Sequence, residues 1–366
     1  MINLISPINQ LGYGIVGLNI AKELNNTCGV SLWPIGQPSV TTQEDADLVS
    51  SMIQNSRTPD FSAPCIRIWH QHDMAQFVGK TLHVGFPIFE LDDFNDLEKH
   101  HLSGLDKIFV CSEWAKTIIL NEIDIDEDNV HVIPLGVDSN IFKPSPSVPP
   151  DPSRLSKRPL TFFNCGKWEV RKGHDILVTA FNEAFTEEDN VELWMMCDNP
   201  FFSESELSEW VGLYKGSKLG KKIRMISRVE SQEEVYNTMK QVDCGVFPSR
   251  AEGWNLELLE MMACGKHVIA TNYSAHTEFC NANNSILIEP EETELAYDGK
   301  WFHGKCGKWL KITDNQITQI SNAMKHVADM YSEQKLEVNQ RGLDTAHKYT
   351  WKSSVNSIKE ALNGYI

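Results

Sequence analysis

Short, almost continuous apolar runs alternate with amphipathic segments along most of the chain. In the first part the runs cover 2–5, 30–35, 65–69, 81–86, 107–111 and 130–134, and apolar positions at helical spacing fill 16–25, 44–54, 92–102 and 112–121. Runs that do not alternate apolar with polar are strands buried on both faces. Strand and helix in strict succession place such strands in a parallel sheet covered by helices. The pattern breaks at 143–159 (KPSPSVPPDPSRLSKRP), where five prolines between 144 and 152 can continue neither a helix nor a central strand. This stretch reads as an interdomain linker. The alternation then restarts, with strands expected at 160–164, 191–197, 223–226, 242–247, 267–271 and 285–288 and helices at 174–185, 232–240 and 256–263. Residues 297–311 are aromatic and basic without a clear period, and 314–330 and 333–362 read as helical apart from an interruption near 348–351. The fold class expected is α/β, two doubly wound Rossmann-like domains in tandem.

Length supports two domains, since 366 residues exceed what a single core of ordinary size encloses. Charge narrows the partners. The formal net charge is −17, with −11 in residues 1–145 and −6 in the remainder, so general binding to nucleic acid is not expected and a phosphorylated ligand needs a local basic site. Nine scattered cysteines without a C-x-x-C pair read as small buried hydrophobes in a reducing compartment. The first residues lack a basic segment followed by a long apolar one, and no run reaches the length of a membrane span, so a cytoplasmic location without an integral membrane segment is expected.

Three clusters can carry chemistry. Gly12-Tyr13-Gly14-Ile15-Val16-Gly17 is a G-x-G-x-x-G between a strand and a helix. It is equally a ligand-contacting loop or a turn that lets strand and helix pack. Dinucleotide binding also needs an acid at the end of the second strand, and none occurs before Glu44, which disfavours NAD. The second cluster, Gly166-Lys167-Trp168-Glu169-Val170-Arg171-Lys172-Gly173, places three cations before a helix N-terminus, where they repel unless an anion lies between them. A diphosphate is the natural occupant. In the third, 247–265 (FPSRAEGWNLELLEMMACG), Glu252 stands in a Gly-containing loop before a helix and Glu260 about one turn inside it. Carboxylates so placed can accept hydrogen bonds from sugar hydroxyls while adjacent amides receive phosphate.

That third block resembles the P-S-x-x-E-G-[FWY]-x-L-x-x-L-E-A-M-A-x-G pattern of the retaining glycosyltransferases of family 4, also called group 1. The N-terminal glycine loop, 110–116 (VCSEWAK), 132–144 (VIPLGVDSNIFKP) and the G-K-x-x-x-R-K-G segment agree with it. The resemblance implies a GT-B architecture, two Rossmann-like domains facing across a cleft, with a final helix returning to the first domain. The expected domains are 1–145 with 349–366, a linker at 146–158, and 159–348. It implies a metal-independent, cofactor-free transfer of a sugar from a nucleotide diphosphate donor to the hydroxyl of a carbohydrate, lipid-linked or other acceptor. Glu252 would contact the donor sugar, helped by the amides of Gly253, Trp254, Asn255 and Leu256. Glu260 would hold the ribose, Lys167 and Lys172 the diphosphate beside Gly14 and Gly166, and Arg228 and Val229 the nucleobase. Lys167 stands where most members have arginine, so the charge is kept and the bidentate fork lost. In the first domain His72 and Glu90 are the candidates near the sugar, each against the plain alternative of a structural hydrogen-bonder. A sugar-nucleotide epimerase or phosphorylase of the same fold, a non-catalytic nucleotide-sugar-binding protein and, third, a Rossmann oxidoreductase are the other readings of these residues.

Overall fold

A computed structural model of the chain describes residues 1–145 and 158–365, so of the linker expected at 146–158 all but Arg158 lies outside the described residues. Arg158 donates to the carbonyl of Gln241 and pairs with Asp243, which ties it to the second of two compact units. The first unit is Met1–Asp138 with Lys348–Ile366; the second is Ser139–His347.

In the first unit, strands β1 (Ile2–Ser6), β2 (Val30–Pro34), β3 (Cys65–Ile68), β4 (His83–Phe86), β5 (Lys107–Val110) and β6 (Val130–Val132) form one parallel sheet in the order β2-β1-β3-β4-β5-β6. Ile2, Leu4, Val30, Leu32, Ile66, Val84 and Ile108 are fully buried, as strands covered on both faces require. Strand order reverses between β1 and β3, and a crevice opens there at the carboxyl ends of such sheets. The last helix, Trp351–Ala361, packs on the helix Gly12–Asn25. Its approach depends on Gly136, where a Cβ would meet the amide nitrogen of Trp351 at 2.1 Å. Ser354 Oγ donates to the carbonyl of Pro134 at 2.6 Å and the Val137 amide to that of Tyr349 at 3.0 Å.

In the second unit β7 (Leu160–Lys167), β8 (Val191–Asp198), β9 (Ile223–Met225), β10 (Cys244–Phe247), β11 (His267–Thr271) and β12 (Ile286–Ile288) form a parallel sheet ordered β12-β11-β10-β7-β8-β9. Its order reverses between β7 and β10. The helices His174–Ala184 and Asp314–Ser332 bury Leu177, Phe181, Ile320 and Met324 in one core with Phe162, Leu193 and Tyr214 of the helix Glu204–Lys215. The helix Leu256–Ala263 packs instead with Gln340–Ala346. Right-handed crossovers from a reversed strand order put these two groups on opposite faces of the sheet.

The structure corrects the sequence reading in several places. The first helix begins at Gly12, not at 16, so all three glycines of the G-x-G-x-x-G are helical. A helix not expected from the pattern, Glu204–Lys215, starts from a Ser203/Glu206 capping box. Residues 333–339 are not helical: Gln334 takes a positive φ of 58°, and Asn339 caps a new helix, Gln340–Ala346. The stretch 297–311 belongs to an antiparallel hairpin of β13 (Thr293–Tyr297) and β14 (His303–Leu310). Among the described residues no helix is long and apolar enough to cross a membrane, and no two of the nine cysteines form a disulfide.

Candidate functional site

Two loops meet at the carboxyl edge of the second sheet where its order reverses. One follows β7 and carries Trp168 to Gly173; the other follows β10 and carries Pro248 to Asn255. Their approach needs a glycine: Gly173 has φ +71°, and a Cβ there would lie 2.1 Å from the carbonyl oxygen of Pro248. The Arg250 amide donates to the Arg171 carbonyl at 2.6 Å, and the Arg250 guanidinium grips both carboxylate oxygens of Asp175 at 2.7 and 2.8 Å.

Glu252 is the centre of this junction. Its carboxylate accepts from Arg171 Nη1 at 2.6 Å, Lys172 Nζ at 3.1 Å and Ser249 Oγ at 2.8 Å, and its amide donates to Ser274 Oγ at 2.8 Å. Burial by itself would raise the Glu252 carboxyl, but the Arg171 and Lys172 cations outweigh it and hold the group well below the usual carboxylate range. Arg171 continues to Glu169 at 2.7 Å, and Glu169 pairs with Lys167 at 2.8 Å. The anion expected between the three cations is thus supplied in part by the chain's own carboxylates. Lys172 is buried, whereas the Lys167 side chain keeps 39% of its surface and forms the open, cationic rim.

Two neutral histidines brace the loops. His174 Nδ1 accepts from the Glu169 amide at 3.1 Å and its Nε2 lies 2.9 Å from Asn164 Oδ1, which fixes the Nε2–H tautomer because Asn164 Nδ2 donates elsewhere, to the Val246 carbonyl. Burial first, and then Lys172, pushes its pKa down to about 3. His276 Nδ1 faces the Thr271 carbonyl at 3.0 Å and its Nε2 meets Asn255 Nδ2 at 2.9 Å, the opposite tautomer; burial lowers this group too. Asn255 holds φ 87° and accepts from the Leu258 amide as N-cap of the helix Leu256–Ala263. The amides of Leu256 and Glu257 have no intrahelical acceptor in such a turn and can serve an anion.

The remaining expected residues sort clearly. Glu260 is buried in that helix, and burial, with Glu257 adding, raises its carboxyl well above the ordinary value. Gly253 and Trp254 are buried in the loop, with the Trp254 ring 4.8 Å from Phe279. Gly166, at φ +131°, lies between Lys172 and Glu257: a Cβ there would sit 3.2 Å from Lys172 Cε and 3.3 Å from Glu257 Oε1. Arg228 is exposed and Val229 half-buried in the loop after β9, apart from the hydrogen-bond network of Glu252.

In the first unit the carboxyl edge at the β1/β3 reversal gathers around Tyr13. Its ring lies 5.4 Å from Trp69 and 4.7 Å from His70, which stacks on His72 at 5.3 Å. The Tyr13 hydroxyl donates to the Ile88 carbonyl at 2.8 Å and accepts from its amide at 3.1 Å. Burial first, then the charge of Glu90, raises the Tyr13 pKa, so Glu90 acts on this ring directly, whereas His72 is linked to it through His70. Gly14 is buried against Asn9, whose Oδ1 would lie 2.3 Å from a Cβ; close packing of strand and helix alone demands a glycine here. Asp45, in the first turn of the helix Gln43–Asn55 that follows the second strand, pairs with Lys22 at 2.6 Å.

Sequence reasoning missed Glu169, His174, Asn164, Ser249 and Ser274, all of which hold the site together. Ser249 and Ser274 stand in loops after β10 and β11 that strand order brings beside the loop after β7, whereas Asn164, Glu169 and His174 bond to one another within one segment that has no motif spacing.

Two doubly wound α/β units, one with a carboxylate–guanidinium–ammonium junction at its switch point, define the class: a GT-B fold. Residues 159–298, within the second unit, match the family model described as Glycosyl transferases group 1. It is similar to the phosphatidylinositol N-acetylglucosaminyltransferase GPI3 subunit of Saccharomyces cerevisiae, 21% identical over 268 residues, covering 65% of this chain and 58% of that protein. It is also similar to the MMP alpha-(1->4)-mannosyltransferase of Mycolicibacterium hassiacum, 23% identical over 204 residues, with 55% and 46% covered. The chain thus spans about half the length of these curated relatives. HepE of Anabaena, solved with UDP and glucose, superposes with a TM-score of 0.70 at 15% identity, covering 99% of both chains. A glycosyltransferase of Rickettsia africae gives 0.68 at 16% identity, covering 99% of this chain and 98% of that one.

Proposed function

We propose that the chain is a retaining glycosyltransferase that moves a hexose from a nucleotide diphosphate donor to an acceptor hydroxyl. The observation that carries this reading is the Glu252 carboxylate held ionised between Arg171 and Lys172, directly before a helix N-terminus, at the switch point of the second sheet. Lys172, Lys167 and the amides of Leu256 and Glu257 receive the diphosphate. Glu252 and the Gly253–Leu256 backbone orient the sugar, Glu260 takes the ribose, and Arg228 and Val229 meet the base. In the first unit, His72 and Glu90 are the candidates for contact with sugar hydroxyls.

In the reaction the bond between the anomeric carbon and the diphosphate oxygen breaks and a bond to the acceptor oxygen forms on the same face. The acceptor proton passes to the departing phosphate. Negative charge grows on the leaving group, and Lys172 and Lys167 oppose it without needing to reorganise, the largest contribution expected of such a site. A metal is not required by this scheme, and the compartment is cytoplasmic.

Because the similar HepE structure holds UDP, the first experiment is a calorimetric titration and thermal-shift panel of UDP, GDP and ADP with their hexose conjugates. A ligand at 100 times its dissociation constant raises stability by about 2.7 kcal/mol. One nucleoside diphosphate and its sugar should stabilise the protein, and Glu252→Gln should cut affinity for the sugar conjugate at least tenfold while sparing the bare diphosphate more. Stabilisation by none of the panel, or an unchanged Glu252→Gln variant, overturns the assignment.

A further inference from the structure

The tip of the β13–β14 hairpin has no role in the scheme above, yet it is anchored against the loop that follows β8. The Asp298 carboxylate accepts from three successive amides, those of Lys300, Trp301 and Phe302, at 2.8–2.9 Å. Lys300 Nζ reaches across to Glu206 and to the Phe201 carbonyl at 3.2 Å, and lies 4.2 Å from the centre of the Phe202 ring. The Trp301 and Phe201 rings meet edge to face at 5.8 Å and stay 45% and 53% exposed.

From its other side the same loop is tied to the phosphate-binding loop. Asn199 is fully buried: its Nδ2 donates to the Trp168 carbonyl at 3.0 Å, and its Oδ1 accepts from the Phe201 amide at 3.1 Å. The Trp168 amide in turn donates to the Asp198 carbonyl at 3.1 Å. Lys167 Nζ, one of the cations assigned to the diphosphate, lies 5.7 Å from the centre of the Phe201 ring. Phe201 is thus an exposed ring fixed beside the site, preorganised for a flat ligand.

Strand order decides which part of the ligand reaches it. On the glycosyltransferase reading, on which this inference rests, the diphosphate is held at Lys167, at the end of β7, and the base at Arg228 and Val229, after β9. In the sheet β8 lies between β7 and β9. The two ends are two strand spacings apart, about 10 Å, and a nucleotide that reaches from one to the other crosses the carboxyl end of β8. There the loop presents Phe201, while Phe202 is half-buried under Lys300. Glu260 approaches from the helix Leu256–Ala263 on one face of the sheet, whereas the Phe201 loop leads into the helix Glu204–Lys215 on the other, so the two flank the nucleoside.

We propose that Phe201 is the stacking platform for the nucleobase of the donor, and that Trp301 is its positioning residue, holding the ring in place from the hairpin tip. Every base has a π-face, so the platform adds affinity for the nucleoside without choosing the base. That choice falls to Arg228 and Val229.

The test is calorimetric titration of the full chain and its variants with UDP, GDP and ADP and, as a probe without a base, inorganic pyrophosphate. For the nucleoside diphosphate that the wild type binds, Phe201→Ala should weaken affinity about tenfold or more, equivalent to about 1.4 kcal/mol. Phe201→Leu, which keeps apolar bulk and loses the π-face, should weaken it nearly as much, and Phe201→Tyr should stay within about twofold of the wild type. Pyrophosphate affinity should be the same in all of them. Trp301→Ala should weaken the nucleotide by a smaller factor and leave pyrophosphate alone, and Trp301→Phe should restore the nucleotide. Equal nucleotide binding by the wild type, Phe201→Ala and Phe201→Leu overturns the platform and leaves the glycosyltransferase reading standing. An equal loss for nucleotide and pyrophosphate does the same, because it places the damage at the diphosphate. Failure of all three nucleoside diphosphates to bind the wild type overturns both.

Discussion

At the scale of single residues, the two glutamates of the E-x7-E pair are electrostatic opposites. Glu252 is buried among cations and ionised; Glu260 is buried beside Glu257 and favours its proton. The folded-state value of Glu260 lies above that of the unfolded chain, so its contribution to stability is full at low pH and is lost as pH rises toward and through the folded value. A glutamine at 260 mimics the protonated form. Glu260→Gln should therefore raise the unfolding temperature at pH 8 and leave it nearly unchanged at pH 4.5, while weakening nucleoside diphosphate binding by about tenfold through loss of the ribose acceptor. Scanning calorimetry at the two pH values, with a titration at pH 8, checks both halves. A variant destabilised at pH 8 would show that the carboxylate is paired and ionised in the folded protein. The cost is of a familiar kind, stability given up where a ligand must be met.

At the scale of elements, the return of the C-terminal helix to the first unit hangs on one glycine. With the Trp351 nitrogen 2.1 Å from where a Cβ would stand, and backbone rather than a flexible side chain in the way, Gly136→Ala cannot be absorbed locally. It should lower the unfolding temperature of the first unit and expose 348–366 to limited proteolysis, while the nucleotide affinity of the second unit stays within twofold. Proteolysis followed by mass spectrometry distinguishes this from a general loosening. Much at this scale was readable beforehand: each buried strand shows as a non-alternating apolar run, and the Pro-Ser-rich break separates the two series. The hairpin was not, because β13 and β14 cover only one face and alternate imperfectly through a bulge at Leu295/Tyr297. The helix Glu204–Lys215 announced itself only through Ser203 and Glu206, a capping box without a strong apolar stripe. Of the site, the motif residues were legible because their spacing is local. Ser274 was not, since it matters through the adjacency of loops after different strands, and Glu169 and His174 were not, since the bonds they make within their own loop follow no motif spacing.

At the scale of the whole molecule, the buried histidines and Glu260 set the acid response, and they pull in opposite directions. His174 refuses its proton until about pH 3, and His276 is shifted the same way. Their folded-state values lie below those of the unfolded chain, so below about pH 6.5 the unfolded state binds more protons and stability falls as pH falls. Between pH 6.5 and 4.5 the loss from His174 is on the order of 2–3 kcal/mol. Over the same interval Glu260 returns stability, because its raised value favours protonation in the folded state. The wild type should consequently lose less stability than Glu260→Gln down to pH 4.5 and then fail more steeply, as the unfolded chain takes up the proton that Glu252, held low by Arg171 and Lys172, refuses in the folded protein. The Glu260→Gln variant removes the compensation. Its unfolding temperature should decline from pH 6.5 onward, and His174→Asn in that background should flatten the decline at the price of a lower starting value. Calorimetry of the three proteins in half-unit steps from pH 8 to 4 reads this directly, with the transition of the second unit identified as the one a nucleoside diphosphate shifts. Parallel profiles for wild type and Glu260→Gln would show that Glu260 is ionised in the folded protein, and the site would then hold its ribose with a charged carboxylate.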